Sequence, residues 1–279
     1  MIEIVRPGPL ATLQDLGRPG YAALGVARSG AFDRGALRLA NRLVGNPDDA
    51  AAIEVTLGGL HARLRSPATV ALTGAPCAGA PDWDVAVTLP AGAEIRLDAP
   101  RIGLRSYLSV RGGFAVEPVL GARCTDTLSG IGPAPLRAGD VLTFGTPASE
   151  VSGASGATRS PTSLLPIRFG PREDWFTAQA HEVLCRAEWT VRSESDRVGV
   201  RLAGPELERA RTGELPSEPA LPGALQVPHD GRPILFGPDA PVSGGYPVIA
   251  VVLDLDPAAQ LRPGDVLRFR SESGAGSCT

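Results

Sequence analysis

Lysine is absent from the 279 residues, so all 27 basic side chains are arginine. That absence removes a Walker-A lysine, a kinase lysine, Schiff-base chemistry and Ser-Lys catalysis from the chain's own repertoire. It also prevents the chain from carrying biotin or lipoate, which are attached through a lysine amine. Histidine is nearly as scarce: His61, His181 and His229 have no histidine or cysteine beside them. The four cysteines, Cys77, Cys124, Cys185 and Cys278, stand 47, 61 and 93 residues apart. Those are not the spacings of a metal knuckle or a redox pair, so no metal site is expected, and a reduced, cytoplasmic chain is the simplest reading. No apolar run approaches the roughly 18 residues of a membrane helix, and Met1–Pro7 lacks a basic region followed by an apolar one. Neither a membrane nor a signal peptide is therefore expected. A net charge of −3 disfavours nucleic acid as a partner.

Turn-forming residues, by contrast, are abundant. The 34 glycines and 27 prolines punctuate short runs rich in Val, Ile and Leu, such as 53–57, 68–73, 104–110 and 248–253. That pattern predicts a mainly β chain with a closed barrel or sandwich in each half. Two helices are expected. Phe32, Ala36, Leu39, Ala40 and Leu43 recur at helical spacing before the stop Gly45-Asn46-Pro47, and Pro171 with Glu173 and Asp174 opens a second carrying Trp175 and Phe176.

The segment 146–163 is almost entirely small or polar and reads as a linker or mobile loop between lobes at 1–145 and 164–271, with a disordered tail at 272–279. Each lobe closes on the same phrase. Leu136-Arg-Ala-Gly-Asp-Val-Leu-Thr-Phe144 recurs 125 residues later as Leu261-Arg-Pro-Gly-Asp-Val-Leu-Arg-Phe269. A Gly-Asp turn launching a strand is common, but its place at the end of both halves favours an internal duplication.

Candidate site residues cluster in a glycine-rich stretch entering the first helix: Gln14, Asp15, Arg18, Arg28 and Ser29. Arginine beside permissive backbone suits an anionic or amide ligand. An Asp15–Arg18 turn bond with Ser29 or Asp33 as a cap explains the same residues structurally. Arg123-Cys-Thr-Asp126 sets a thiol, a hydroxyl and a carboxylate together, Cys124 reading as a small buried residue rather than a nucleophile. Arg197 and Arg201 lie four apart, on one face of a strand or in surface pairs. In the second half, Gln226 and the run Ser243, Gly244, Gly245 and Tyr246 form loops whose N–H groups can meet a carboxylate or phosphate, or simply make a hairpin turn.

Taken in order, Val5-Arg-Pro-Gly, Gln14-Asp-Leu-Gly-Arg-Pro-Gly20, Arg28-Ser-Gly30, Ala40-Asn-Arg-Leu-Val-Gly-Asn46, Glu54-Val-Thr56, Ala71-Leu-Thr-Gly-Ala75, Ser195–Leu202, Gln226-Val-Pro228, Gly244-Gly-Tyr-Pro247 and Gln260–Asp265 resemble the 5-oxoprolinase subunit-C family. That family is also labelled allophanate hydrolase subunit 2 or biotin-dependent carboxyltransferase. The resemblance implies two tandem cyclophilin-like β-barrel lobes, a subunit-B partner and a third, subunit-A protein. The complex would be an ATP-dependent hydrolase opening 5-oxoproline to glutamate, and this chain would be inactive alone. Related pairs serve as the carboxyltransferase half of a biotin-dependent urea carboxylase and as a sporulation-kinase inhibitor with its antagonist, which leaves a non-catalytic regulatory role as an alternative. Genuine allophanate hydrolysis resembles amidase chemistry that needs a lysine, which this chain lacks. Within the family reading, Arg18, Arg28, Arg197 and the loop N–H groups would stabilise negative charge, with Gln14, Asp15 and Asp126 as polar contacts. Two departures stand out: Ala240-Pro-Val242 replaces the family's Arg-Gln-Thr, and Cys124 replaces a serine before Thr125-Asp126.

Overall fold

The computed structural model of the protein describes residues 1–147 and 162–272. The expected linker at 146–163 and tail at 272–279 lie outside the described residues except at their edges. The chain divides into two compact units, Met1–Arg18 with Ser29–Pro161, and Pro19–Arg28 with Thr162–Thr279.

The first unit takes the sandwich form, two antiparallel sheets over one core. The strands Glu94–Arg96, His61–Leu64, Ile2–Arg6 and Val141–Leu142 lie side by side in one sheet. The other sheet runs Leu10–Gln14, Ala52–Thr56, Arg105–Val110, Ala68–Gly74 and Ala86–Leu89. Strand alternation points Ile2, Ile4, Ala62 and Leu64 from the first sheet, and Leu13, Ile53, Val55 and Leu108 from the second, into a shared apolar core. Full burial of each large aliphatic contributes about 1.5–3 kcal/mol. The helix Arg34–Leu43 forms as expected. Asp33 caps it by accepting from Ala36 N at 2.8 Å, and Ala36, Leu37 and Ala40 pack with Ala52 and Tyr107 of the five-stranded sheet.

The second unit is a closed barrel. Its strands run Leu164–Phe169, Val248–Val252, Ala224–Gln226, Ile234–Phe236, Gly199–Ala203, Trp189–Val191 and Val266–Ser271. Parallel pairing of the last with the first, Leu165 opposite Phe269, completes the ring. Trp189, Leu202, Leu235, Ile249 and Phe269 are buried.

The expected second helix is corrected. The acid-rich turn closes as a short 3-10 helix, Glu173–Trp175, Phe176 is extended, and the α-helix is Ala178–Arg186. Thr177 sets that start, its hydroxyl accepting from Ala180 N at 3.1 Å.

The repeated closing phrase builds the same turn twice. Asp140 Oδ2 accepts from Arg137 N at 2.7 Å, and Asp265 Oδ2 accepts from Arg262 N at 2.8 Å. The glycine before each aspartate holds a left-handed backbone, φ 92° at Gly139 and 90° at Gly264, which a side chain would strain.

Candidate functional site

The strand Leu10–Gln14 carries two buried polar side chains, Thr12 and Gln14, which lie opposite Glu54 and Ala52 of the next strand. Gln14 donates through Nε2 to Thr125 O at 2.9 Å and to Thr12 Oγ1 at 3.0 Å. The segment 124–126 is tied to this strand by Thr125 N donating to Leu13 O at 2.9 Å. Beyond the strand the chain turns at Asp15. Its Oδ1 accepts from Gly17 N at 2.7 Å and its Oδ2 from Arg123 N at 2.5 Å. Both oxygens therefore serve the backbone.

Arg18 emerges from this turn into the protein interior and is 1% exposed. Its Nη2 donates to Cys124 O at 2.5 Å, with Ile131 O at 3.5 Å. Gly132 makes room for it. A Cβ there would collide with the Cys124 carbonyl and stand 2.9 Å from Arg18 Nη2, and the glycine's φ is 95°. Among the described residues Arg18 has no ion-pair partner, and the Asp15–Arg18 turn bond does not form. Its Nε and Nη1 are buried without a hydrogen-bond partner, as are Gln14 Oε1 and Thr125 Oγ1. Unpaired buried charge costs several kcal/mol. Buried polar atoms are normally paired, so this cluster stands apart from the apolar core around it.

Ser29 stands beside it, buried, at a left-handed φ of 53°, with Oγ donating to Thr125 O at 3.2 Å. Asp126 is buried and caps its own loop. Its Oδ1 accepts from Leu128 N and Ser129 N at 2.9 and 3.1 Å, and its Oδ2 from Ser129 Oγ at 2.6 Å. Burial, reinforced by the Asp15 carboxylate, pushes the Cys124 thiol up to about 12, so it stays protonated at neutral pH.

In the second unit Arg197 is as deeply buried as Arg18, but a carboxylate of this chain meets it. Nε and Nη2 donate to Asp239 Oδ2 and Oδ1 at 2.8 and 3.0 Å. Gln226 donates to Tyr246 O at 3.1 Å, and Ser243–Gly244 pairs as a short strand with Glu218–Pro219. Gly245 and Tyr246 are exposed, the Tyr246 ring lying edge-on to His229 at 5.1 Å. Arg28 is exposed. A cavity of about 400 Å³ beside His61, Arg96 and Asp98 is lined by none of the expected site residues.

Sequence reasoning missed two features. Thr125 attracts less notice than its neighbours, although it carries one of the unpartnered atoms. Behind the helix start, buried Glu54 accepts from Phe32 N at 3.1 Å and from the Tyr107 hydroxyl at 2.7 Å. Arg105 stacks its guanidinium 4.4 Å from the Phe32 ring centroid, with Nε 3.6 Å from Glu54 Oε1. Burial and the adjoining carboxylates raise the Tyr107 phenol well above its ordinary value. This network fixes residues 32–33, just past Ser29. A glutamate between Ile53 and Val55 was the available signal, since a charge in a buried strand needs partners.

Residues 24–271 match the carboxyltransferase domain, subdomain A and B, and the chain belongs to that family. It is 38% identical to the 5-oxoprolinase subunit-C protein of Escherichia coli (strain K12), over 96% of this chain and 90% of that protein. The corresponding 5-oxoprolinase subunit-C protein of Haemophilus influenzae is 35% identical, over 98% of this chain and 92% of that one. The crystal structure of Kluyveromyces lactis urea amidolyase shares the fold with a TM-score of 0.89 at 28% identity. The match covers 98% of this chain and 19% of that much longer one.

Proposed function

We propose that this chain is a cytoplasmic subunit of an ATP-dependent 5-oxoprolinase, which opens the lactam of 5-oxoproline to glutamate as ATP becomes ADP and phosphate. Similarity to two proteins that carry the 5-oxoprolinase subunit-C name, across about nine-tenths of each, supports membership of such an assembly. The observation that carries the chain's role is Arg18, a buried cation with no ion-pair partner among the described residues. A lactam carbonyl is a poor electrophile, and phosphorylation of its oxygen prepares it for attack by water. Negative charge must be held throughout.

This chain contributes binding and charge stabilisation. It does not contribute the nucleophile, because the Cys124 thiol stays protonated and the Asp15 and Asp126 carboxylates are engaged by neighbouring donors. With no lysine, and with Arg197 committed to Asp239, contacts to the ATP phosphates are assigned to the subunit-B and subunit-A partners.

The test is reconstitution with the proteins encoded beside it, measuring conversion of 5-oxoproline to glutamate. The complete assembly is expected to turn over, and this chain alone is expected to be inert. Turnover by the lone chain, or by the partners without it, contradicts the proposal. The fold shared with urea amidolyase supports a second reading, the carboxyltransferase half of a biotin-dependent enzyme. Under that reading urea, and not 5-oxoproline, drives turnover with a biotin carboxylase partner.

A further inference from the structure

The unpartnered atoms that Arg18, Gln14 and Thr125 bring together are of opposite kinds. Arg18 Nε and Nη1 are donors only, Gln14 Oε1 is an acceptor only, and the Thr125 hydroxyl is either. One dipeptide gathers them. Arg18 bonds the Cys124 carbonyl, Gln14 bonds the Thr125 carbonyl, and the free hydroxyl belongs to Thr125 itself. The orientation of the Gln14 amide is fixed, because a flip would set its oxygen against the Thr125 carbonyl. A ligand that satisfies the cluster must therefore bring an acceptor, best a negative one, to Arg18 and a hydrogen-bond donor to Gln14.

We infer that this cluster seats 5-oxoproline itself, Arg18 taking the carboxylate and Gln14 Oε1 accepting the lactam N–H, and not a phosphate of ATP. The inference rests on the 5-oxoprolinase reading and names the ligand of that site. In 5-oxoproline the carboxylate and the lactam nitrogen are bonded to the same ring carbon, so one small molecule presents both groups together. A fully ionised phosphate presents only acceptors and leaves Gln14 Oε1 facing another acceptor. Held by its carboxylate and N–H, the substrate keeps its carbonyl oxygen, on the far side of the nitrogen, available for activation.

The experiment is calorimetric binding to the assembled complex, with turnover of 5-oxoproline measured on the same preparation. The ligands are 5-oxoproline, N-methyl-5-oxoproline and 2-pyrrolidinone. Removing the N–H or the carboxylate is expected to weaken binding to the unaltered complex by on the order of tenfold or more each, the scale of one charge-assisted or buried hydrogen bond. Arg18→Met is expected to erase the preference for 5-oxoproline over 2-pyrrolidinone. N-methyl-5-oxoproline binding as well as its parent, or an unchanged preference in Arg18→Met, overturns the inference. If 5-oxoproline is nevertheless turned over, the 5-oxoprolinase reading stands without it. Failure of 5-oxoproline to bind at all also overturns the inference, and failure of turnover in the same preparation removes the reading with it.

Discussion

Replacing Arg18 by methionine keeps most of the side chain's volume and removes its charge. In the ligand-free chain that charge is poorly compensated. The guanidinium makes one short bond, 2.5 Å to Cys124 O, and one at 3.5 Å to Ile131 O, while Nε and Nη1 make none. A hydrogen bond from a charged group contributes about 1.5–3 kcal/mol, whereas taking an ion out of water costs several kcal/mol even after relaxation. The second effect wins here, so Arg18→Met should leave the free chain unchanged or more stable by about 1–2 kcal/mol. Arg197 is the control. It is equally buried, but two bonds of 2.8 and 3.0 Å join it to Asp239. Arg197→Met takes that fork away from a fully buried carboxylate and should cost about 3–5 kcal/mol. Urea unfolding followed by tryptophan fluorescence separates the two cases, because Trp83 lies in the first unit and Trp175 and Trp189 in the second. Should Arg18→Met lose as much stability as Arg197→Met, Arg18 is a structural residue and the reasoning fails.

Three further outcomes follow from the same geometry. Cys124, with its thiol raised to about 12 by burial, should resist alkylation at pH 8 in the native chain and react more slowly than the half-buried Cys185; equal rates for these two by mass spectrometry would contradict this. Glu94 is held near 2, against an ordinary 4.5, by Arg63 and then Arg96. Its lowered value contributes stability that is present above pH 4.5 and lost as pH falls toward 2. Glu94→Gln should therefore flatten that part of the acid-unfolding profile, and an unaltered profile counts against the ion pair. Gly132→Ala forces a Cβ toward the Cys124 carbonyl at a φ of 95° and should cost about 1–3 kcal/mol by urea titration, with Gly139→Ala, open on all sides, as the milder comparison.

Local signals carried much of the fold. Asp33 before an apolar 3.6-residue period, and Gly45 after it, mark the helix Arg34–Leu43, and the repeated Gly-Asp phrase marks two turns of matching hydrogen bonding. The second helix was misplaced because acids after Pro171 imitate a helix start. Thr177 caps the real one without a Glu or Gln at the third helical position to advertise it. The site was less legible, because its meaning depends on partners far away in sequence. Asp15 and Asp126 read as polar contacts for a ligand until Arg123 N, 108 residues from Asp15, and the 126–129 loop are seen to occupy them. Arg18 and Arg197 look alike as residues. Only the presence of Asp239, 42 positions from Arg197, separates an arginine committed to a carboxylate from one that meets backbone carbonyls alone.

The central claim is that the Arg18 charge is held for the substrate. The most direct measurement is kcat/KM for 5-oxoproline in the reconstituted assembly carrying either the unaltered chain or Arg18→Met. The account predicts a fall of about 10- to 100-fold, the equivalent of one charge-assisted hydrogen bond, from a subunit whose urea midpoint has not dropped. An unchanged kcat/KM in a folded Arg18→Met assembly would contradict it.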